Sequence, residues 1–349
     1  MATSAAESPA ALATNVREHL MQIATGFELS ACLYVAAKLN IADVLAGGRR
    51  SAEDLASTTG TNADALYRVL RALISVGVFA EPEPRIIALS PGAEPLRRNV
   101  PGSIHGLVLW GTDPFLIHTT SDLLYSVETG KPAVEHLYGK PAFECIASMP
   151  RVQAAFNQGM TAISREFAPA VLDAYDFSGI ETLMDVAGGH GYFVGEALKR
   201  HPRMKGILLD LPHVVEGAKR TLREMGVDHR CQPVAGDFFK GVPSGADAYY
   251  LQHIIHDWDD DHALKILRNI RKALAGRNNG RLLIVDAVLP EGSDPHPAKL
   301  LDLVMLTIPG GRERTEPQWH ELCANGGFKI SHIVPTRVGK SVIEALAAE

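Results

Sequence analysis

Apolar residues in the second half of the chain fall in short runs, near 182–187, 205–210, 231–235, 246–251 and 281–286. Between them lie stretches of helical spacing at about 191–200, 213–225 and 260–275. Continuous apolar runs of this length read as strands covered on both faces. Their alternation with helices predicts a mostly parallel α/β sheet. The first half reads differently. An apolar stretch at 20–46 is followed by Ser51-Ala52-Glu53-Asp54, whose capping-box spacing starts a short helix. Thr61 with Asp64 predicts the start of another helix. In it Leu66, Val69, Leu70, Leu73 and Ile74 recur at the 3.6 period, and Gly77 ends it. Val78-Phe79 and residues 85–89 predict a hairpin, so the segment reads as a winged helix-turn-helix. Residues 100–175 read as helices broken at Pro114, Pro132, Pro141 and Pro150.

Chemistry concentrates where the strands end. Leu183-Met184-Asp185-Val186 runs into Ala187-Gly188-Gly189-His190-Gly191, and an acid, Asp210, closes the next strand 19 residues after Gly191. Clustered glycines after a buried strand let a ligand approach the backbone. An acid at that distance suits ribose hydroxyls. A nicotinamide fits poorly: the dinucleotide pattern needs a third glycine where Val194 stands, and Asp185 is ill placed beside a pyrophosphate. A carboxylate there suits a cationic, amino-acid-bearing cofactor such as S-adenosylmethionine (SAM), which carries a sulfonium, an ammonium and a ribose but no phosphate.

A length of 349 residues accommodates two domains at roughly 150 each. A net charge of −6 argues against a general nucleic-acid binder, so the scaffold or dimerisation reading of the winged segment is preferred to DNA binding through Arg68 and Arg71. No run approaches the ~18 apolar residues that span a bilayer, and no membrane role is expected. Residues 1–14, small and polar with no basic n-region, read as a frayed tail and not a signal peptide. Cys32, Cys145, Cys231 and Cys323 are scattered without a CxxC pair, which points to reduced thiols in the cytoplasm.

Other candidates sit at later strand ends. In Gly236-Asp237-Phe238 the acid suits an adenine amino group and the ring an adenine face, although a plain turn with a buried phenylalanine has the same pattern. His253 and His256, with His262 and Asp259–Asp261 nearby, raise the question of metal. The acids instead cap the helix that follows, and neither HExxH nor Cys/His spacing is present, so no metal is expected. Asp286 ends a strand, and Glu313 lies in Pro309-Gly310-Gly311-Arg312-Glu313-Arg314-Thr315. Each also fits an ordinary surface acid. Converging on His256, they would make a base oriented by carboxylates.

Taken in order, these motifs resemble the two-domain SAM-dependent O-methyltransferases, which include plant caffeate and flavonoid enzymes, acetylserotonin methyltransferase and bacterial enzymes that tailor polyketides and other aromatic natural products. Thr129-Gly130-Lys131-Pro132-Ala133, His136-Leu137-Tyr138-Gly139, Phe156-Asn157-Gln158-Gly159-Met160, Asp210-Leu211-Pro212 and His256-Asp257-Trp258 complete the set, which covers nearly the whole chain. The resemblance implies a Rossmann-like class I SAM-methyltransferase domain at 166–349. Before it would come a helical linker at 111–165 that contributes to the acceptor pocket, and an N-terminal winged-helix dimerisation domain at 1–110. It implies metal-independent methyl transfer to a hydroxyl of a small aromatic acceptor, releasing S-adenosylhomocysteine. His256 would be the general base, flanked by Asp286 and Glu313. Asp185, Gly188, Gly189, Gly191, Asp210, Leu211, Gly236, Asp237, Phe238 and Gln252 would hold the cofactor, and Phe156, Asn157, Met160 and Met305 would line the acceptor pocket. Relatives form homodimers in which the N-terminal domain helps close the partner's pocket.

The chain departs from the family pattern at four places. Ala187 stands for the usual first glycine, Gln252 for a lysine of the plant enzymes and Asp286 for glutamate, and residues 305–309 are one residue shorter. Two rival readings are a divergent relative that hydroxylates or decarboxylates, and a DNA-binding regulator with a ligand-sensing domain.

Overall fold

The computed structural model describes residues 9–277 and 279–348. The chain divides into two compact units, Met1–Pro114 and Phe115–Glu349.

The first unit opens with a helix at Pro9–Lys38, and Asn40, in the left-handed region (φ 53°), turns the chain into a second helix at Ile41–Leu45. Of the tail expected at 1–14, residues 1–8 lie outside the described residues, and helix already occupies the rest. The first helix differs from the expectation that no segment has membrane-spanning length. Asn15–Lys38, 24 residues long, is long and apolar enough to cross a membrane by length and composition, because its scattered polar residues do not offset the apolar ones. Val16, Leu20, Met21, Ile23 and Phe27 on it are exposed, whereas Ala36 and Ala37 at its end are buried.

Helix Ala52–Thr59 is capped by Ser51, whose hydroxyl accepts from the Asp54 N–H. Helix Ala63–Ser75 is capped by Asn62, which accepts from the Ala65 N–H at 3.0 Å. The expected cap, Thr61, instead pairs its hydroxyl with that of Thr59 at 2.9 Å. Leu55, Leu66, Leu70, Leu73 and Ile87 fill the core of this unit. Strands β1 (Arg50–Ser51), β2 (Phe79–Glu83) and β3 (Ile86–Leu89) form a sheet in the order β1-β3-β2. The hairpin therefore gains a short third strand that the sequence reading did not include.

Between residues 100 and 175 the four expected prolines mark helix starts. Pro114 and Pro150 open helices Pro114–Ser121 and Pro150–Ala174, while Pro132 and Pro141 are the N-caps of Ala133–Tyr138 and Ala142–Ser148. The expected strands are all present, as β4 (Thr182–Val186), β5 (Lys205–Asp210), β6 (Cys231–Ala235), β7 (Ala248–Gln252) and β8 (Arg281–Asp286). Two more, β9 (Phe328–Pro335) and β10 (Ser341–Ala347), were not anticipated. They complete a seven-stranded sheet of order β6-β5-β4-β7-β8-β10-β9. β4 to β8 run parallel, and β10 is antiparallel to both β8 and β9.

Apolar side chains leave the sheet on both faces. Leu183, Tyr250 and Leu283 pack with Phe193, Val194 and Leu198. On the other face Met184, Tyr249 and Ile284 pack with Ile266, Ile270 and Trp319. A sheet buried on both faces leaves only its strand ends open to ligands. The register sets one consequence: Ser341 pairs with Asp286, so the chain enters β10 beside the carboxyl end of β8.

Candidate active site

β4 ends in the glycine loop. Asp185 is buried within the strand, and burial, with Asp210 nearby, pushes its carboxyl up to about 7. Its Oδ2 has no hydrogen-bond partner in the described structure. A Cβ built on Gly188 would lie 2.6 Å from the Asp185 carboxyl carbon, so only glycine lets the loop close over that acid. Asp210 Oδ2 accepts from the Gly189 N–H (2.8 Å) and Oδ1 from the Leu211 N–H (2.7 Å), which ties the loop to the end of β5. Burial raises the Asp210 carboxyl, and these two N–H groups work against it.

Ala187 has φ 57° and donates to the Leu209 carbonyl at 2.7 Å. A left-handed alanine costs on the order of 1–2 kcal/mol, so strain is stored in this loop. This loop fits SAM: a cationic group beside Asp185 would satisfy the orphaned Oδ2, and Asp210 keeps lone pairs for ribose hydroxyls.

The Gly236 N–H donates to the Asp210 carbonyl at 2.9 Å, which places the third strand end next to the second. Asp237 Oδ1 accepts from the Phe239 N–H (2.9 Å) and so caps its own turn. Asn269, not anticipated, holds that turn through the Phe238 carbonyl at 2.8 Å. Phe238 and Trp258 meet edge to face at 6.2 Å. Gln252 accepts from the Tyr250 hydroxyl at 2.6 Å.

His256 lies in a short helical turn beyond β7, buried, and three carboxyl groups face it. Glu313 Oε1 is 2.9 Å from Nδ1, Asp286 Oδ1 is 3.6 Å from Nδ1, and Asp257 Oδ1 is 3.6 Å from Nε2. The two acids proposed from sequence therefore do converge on the histidine. Burial alone would lower the imidazole, but the charge of Asp286, the Glu313 hydrogen bond and Asp257 outweigh it and raise it to about 9. Burial lifts Asp286 to about 6 and Asp257 to about 7, although the charge of His256 pulls both back. Burial would also raise Glu313, but its bonds to His256 and Lys340 bring it below the usual carboxylate range. Among the described residues neither oxygen of Asp286 accepts a hydrogen bond: its Oδ1 stops 3.6 Å from Nδ1, where Glu313 Oε1 comes to 2.9 Å.

The 309–315 loop is what carries Glu313 to this place. The Gly310 and Gly311 N–H groups donate to the Met305 carbonyl (2.9 and 3.1 Å), which closes helix Pro297–Thr307. The Arg312 N–H donates to the His256 carbonyl at 2.9 Å, and the Glu313 N–H to Asp302 Oδ1 at 2.7 Å. Arg314, wholly buried, donates to Asp260 Oδ1 (2.6 Å) and to the Trp258 carbonyl (3.0 Å), fastening this loop to the histidine segment.

The expected acceptor residues are only partly gathered here. Phe156 meets Phe143 at 6.4 Å, and Phe143 lies 5.9 Å from Trp258. Met305 is buried and Met160 partly buried, but Asn157 is exposed on helix Pro150–Ala174. The sequence reading missed Arg314, Asn269 and Lys340, which lies 3.3 Å from Glu313 Oε1. The strand-like run Val342-Ile343-Glu344-Ala345-Leu346 after Gly339-Lys340 is the signal that would have located the last of these.

A Rossmann-like sheet whose strand ends join an acid-lined glycine loop to a buried histidine is the architecture of a SAM-dependent methyltransferase. The O-methyltransferase domain family matches residues 121–329, and the O-methyltransferase dimerisation domain family matches 21–94. The chain therefore belongs to the O-methyltransferase family and is a SAM-dependent O-methyltransferase. It is 41% identical over 327 residues to the phenazine O-methyltransferase PhzM of Lysobacter antibioticus, covering 93% of this chain and 95% of that one. The solved structure of LaPhzM superposes with a TM-score of 0.89 at 40% identity, over 95% of this chain and 99% of that one. The O-methyltransferase NcsB1 of neocarzinostatin biosynthesis, solved with SAM and 2-hydroxy-5-methyl naphthoic acid, gives 0.78 at 31% identity, over 92% and 96%.

Proposed function

We propose that the protein methylates a phenolic hydroxyl of a small aromatic acceptor, with His256 as general base. One observation carries this reading: Nδ1 of His256 faces Glu313 Oε1 at 2.9 Å, so the proton of the neutral ring stays on that side and Nε2 keeps its lone pair. SAM, held by Asp185, the 188–191 loop, Asp210 and the 236–238 turn, would supply an electrophilic methyl group on a sulfonium. His256 takes the hydroxyl proton at Nε2, Glu313 and Asp286 stabilise the imidazolium that forms, and the aromatic residues from Phe156 to Trp258 orient the acceptor ring. NcsB1 binds a hydroxylated naphthoic acid, which supports an acceptor of that class.

Methyl-labelled SAM offered with a panel of phenols is expected to yield labelled methyl ethers. Transfer to anilines and to no phenol would overturn the choice of acceptor atom. Asp210→Ala is expected to weaken SAM and S-adenosylhomocysteine roughly 10- to 100-fold by calorimetry, the range for losing hydrogen bonds to a charged group. It should also shrink the thermal stabilisation each confers by mass action. Equal affinities for wild type and variant would dismiss the cofactor assignment.

The proposal includes a homodimer in the cytoplasm. Its support is the exposed apolar face of helix Pro9–Lys38, the match to a dimerisation domain and the free thiols. Light scattering at micromolar concentration should give twice the 37.6 kDa chain mass. A fully active monomer would refute it.

A further inference from the structure

A buried lysine that the base reading does not use lies at the edge of the histidine cluster. Lys340 is 7% exposed and donates to Glu313 Oε1 at 3.3 Å, the same oxygen that faces His256 Nδ1. Its position is built by the backbone. Thr336 donates to the Lys340 carbonyl through both its N–H and its hydroxyl (2.8 Å each), which closes the turn between β9 and β10, and the next residue, Ser341, pairs with Asp286.

The charged groups around the imidazole come from every neighbouring segment. Its own segment supplies His253 and Asp257, β8 supplies Asp286, the 309–315 loop supplies Glu313 and Arg314, and the β9–β10 turn supplies Lys340. Tyr250 on β7 keeps a neutral hydroxyl that donates to Gln252, Asp302 is engaged with the Glu313 N–H, and Arg314 is committed to Asp260. When the imidazole is neutral, Lys340 is, among the described residues, the cation in contact with Glu313.

We propose that Lys340 is a positioning residue acting through Glu313: its ammonium contacts Glu313 Oε1 and offsets carboxylate charge that would otherwise keep the imidazole protonated. The inference rests on His256 as the base. Without the cation, proton uptake becomes more favourable for every group in the cluster, and the imidazole, as the most basic of them, keeps the proton. A neutral base then exists only at higher pH.

The test is Lys340→Met in the full-length enzyme, read in two ways. The His256 imidazole, assigned by the loss of its signal in His256→Gln, is titrated by NMR without ligand, and kcat/KM is followed against pH. Both pKa values are expected to move up by about one unit, with Lys340→Arg returning both to wild type. Should the methionine variant not fold, Lys340→Gln is measured the same way. An imidazole that titrates at the wild-type pH without the ammonium would overturn the proposal. If the imidazole shifts but wild-type kcat/KM has no limb at its pKa, the base reading fails while the influence of Lys340 on His256 stands.

Discussion

Replacing His256 by alanine is expected to lower kcat by at least about 10²-fold, the low end for a positioned general base. SAM affinity should barely change, because the imidazole faces Glu313, Asp286 and Asp257 and not the 188–191 loop. A phenol near pKa 10 gives its proton to an ordinary histidine uphill by about 3.5 units, close to 5 kcal/mol. With the imidazole at about 9 the gap falls to about one unit, or roughly 1.4 kcal/mol. The carboxylates thus bring base and acceptor near balance, and the loss in the alanine variant should shrink for more acidic phenols.

The sign of the pH dependence follows. Only neutral imidazole accepts a proton, so wild-type kcat/KM rises with pH through about 9, and that limb vanishes in the variant. Stability runs the other way. A histidine raised from its ordinary 6.5 stabilises the fold fully below that pH and loses the contribution as pH rises through about 9. Glu313→Gln and Asp286→Asn should be milder than His256→Ala, because they remove orientation and basicity but leave the ring. A His256→Ala enzyme that methylates a weakly acidic phenol at the wild-type rate would rule the base out.

Gly311→Ala is expected to be about as damaging, without touching a charged group. A Cβ there would lie 2.0 Å from the His256 carbonyl oxygen, 2.3 Å from the Asp257 carbonyl carbon and 2.5 Å from the Trp258 nitrogen. All three are backbone atoms, so no rotamer change relieves the clash, and the 256–258 and 310–312 segments must separate. The Arg312–His256 backbone hydrogen bond would go, and Glu313 would move off Nδ1. The loss of folding stability should be about 3 kcal/mol or more, the upper range for overpacking. The folded fraction should lose at least about 10²-fold in kcat through misplacement of the base. Denaturant unfolding and single-turnover rates measure the two effects separately. A variant as stable and as fast as wild type would mean that the loops do not hold the base.

Much of this was legible because β4, β7 and β8 are buried on both faces. Such strands read as unbroken apolar runs, and Asp185, Asp210 and His256 stand where those runs stop. The C-terminal strands were less visible. β9 carries lysine, serine and histidine at the sheet edge and does not stand out from its flanks, while β10 is a short apolar run interrupted by Glu344. Pro169 illustrates another limit: it lies inside helix Pro150–Ala174 without ending it, although proline is the strongest local breaker.

The order of residues by itself determined the parallel sheet, the glycine loop and the list of acids at strand ends, since periodicity and burial are local properties of a chain. Only the tertiary structure decided which acids meet His256. Glu313 is 57 residues away and Lys340 a further 27, and their convergence depends on a glycine that permits backbone contact and on the register that sets Ser341 opposite Asp286. Spacing along a chain carries no information about such pairings, because they are chosen by the packing of segments that lie far apart in sequence.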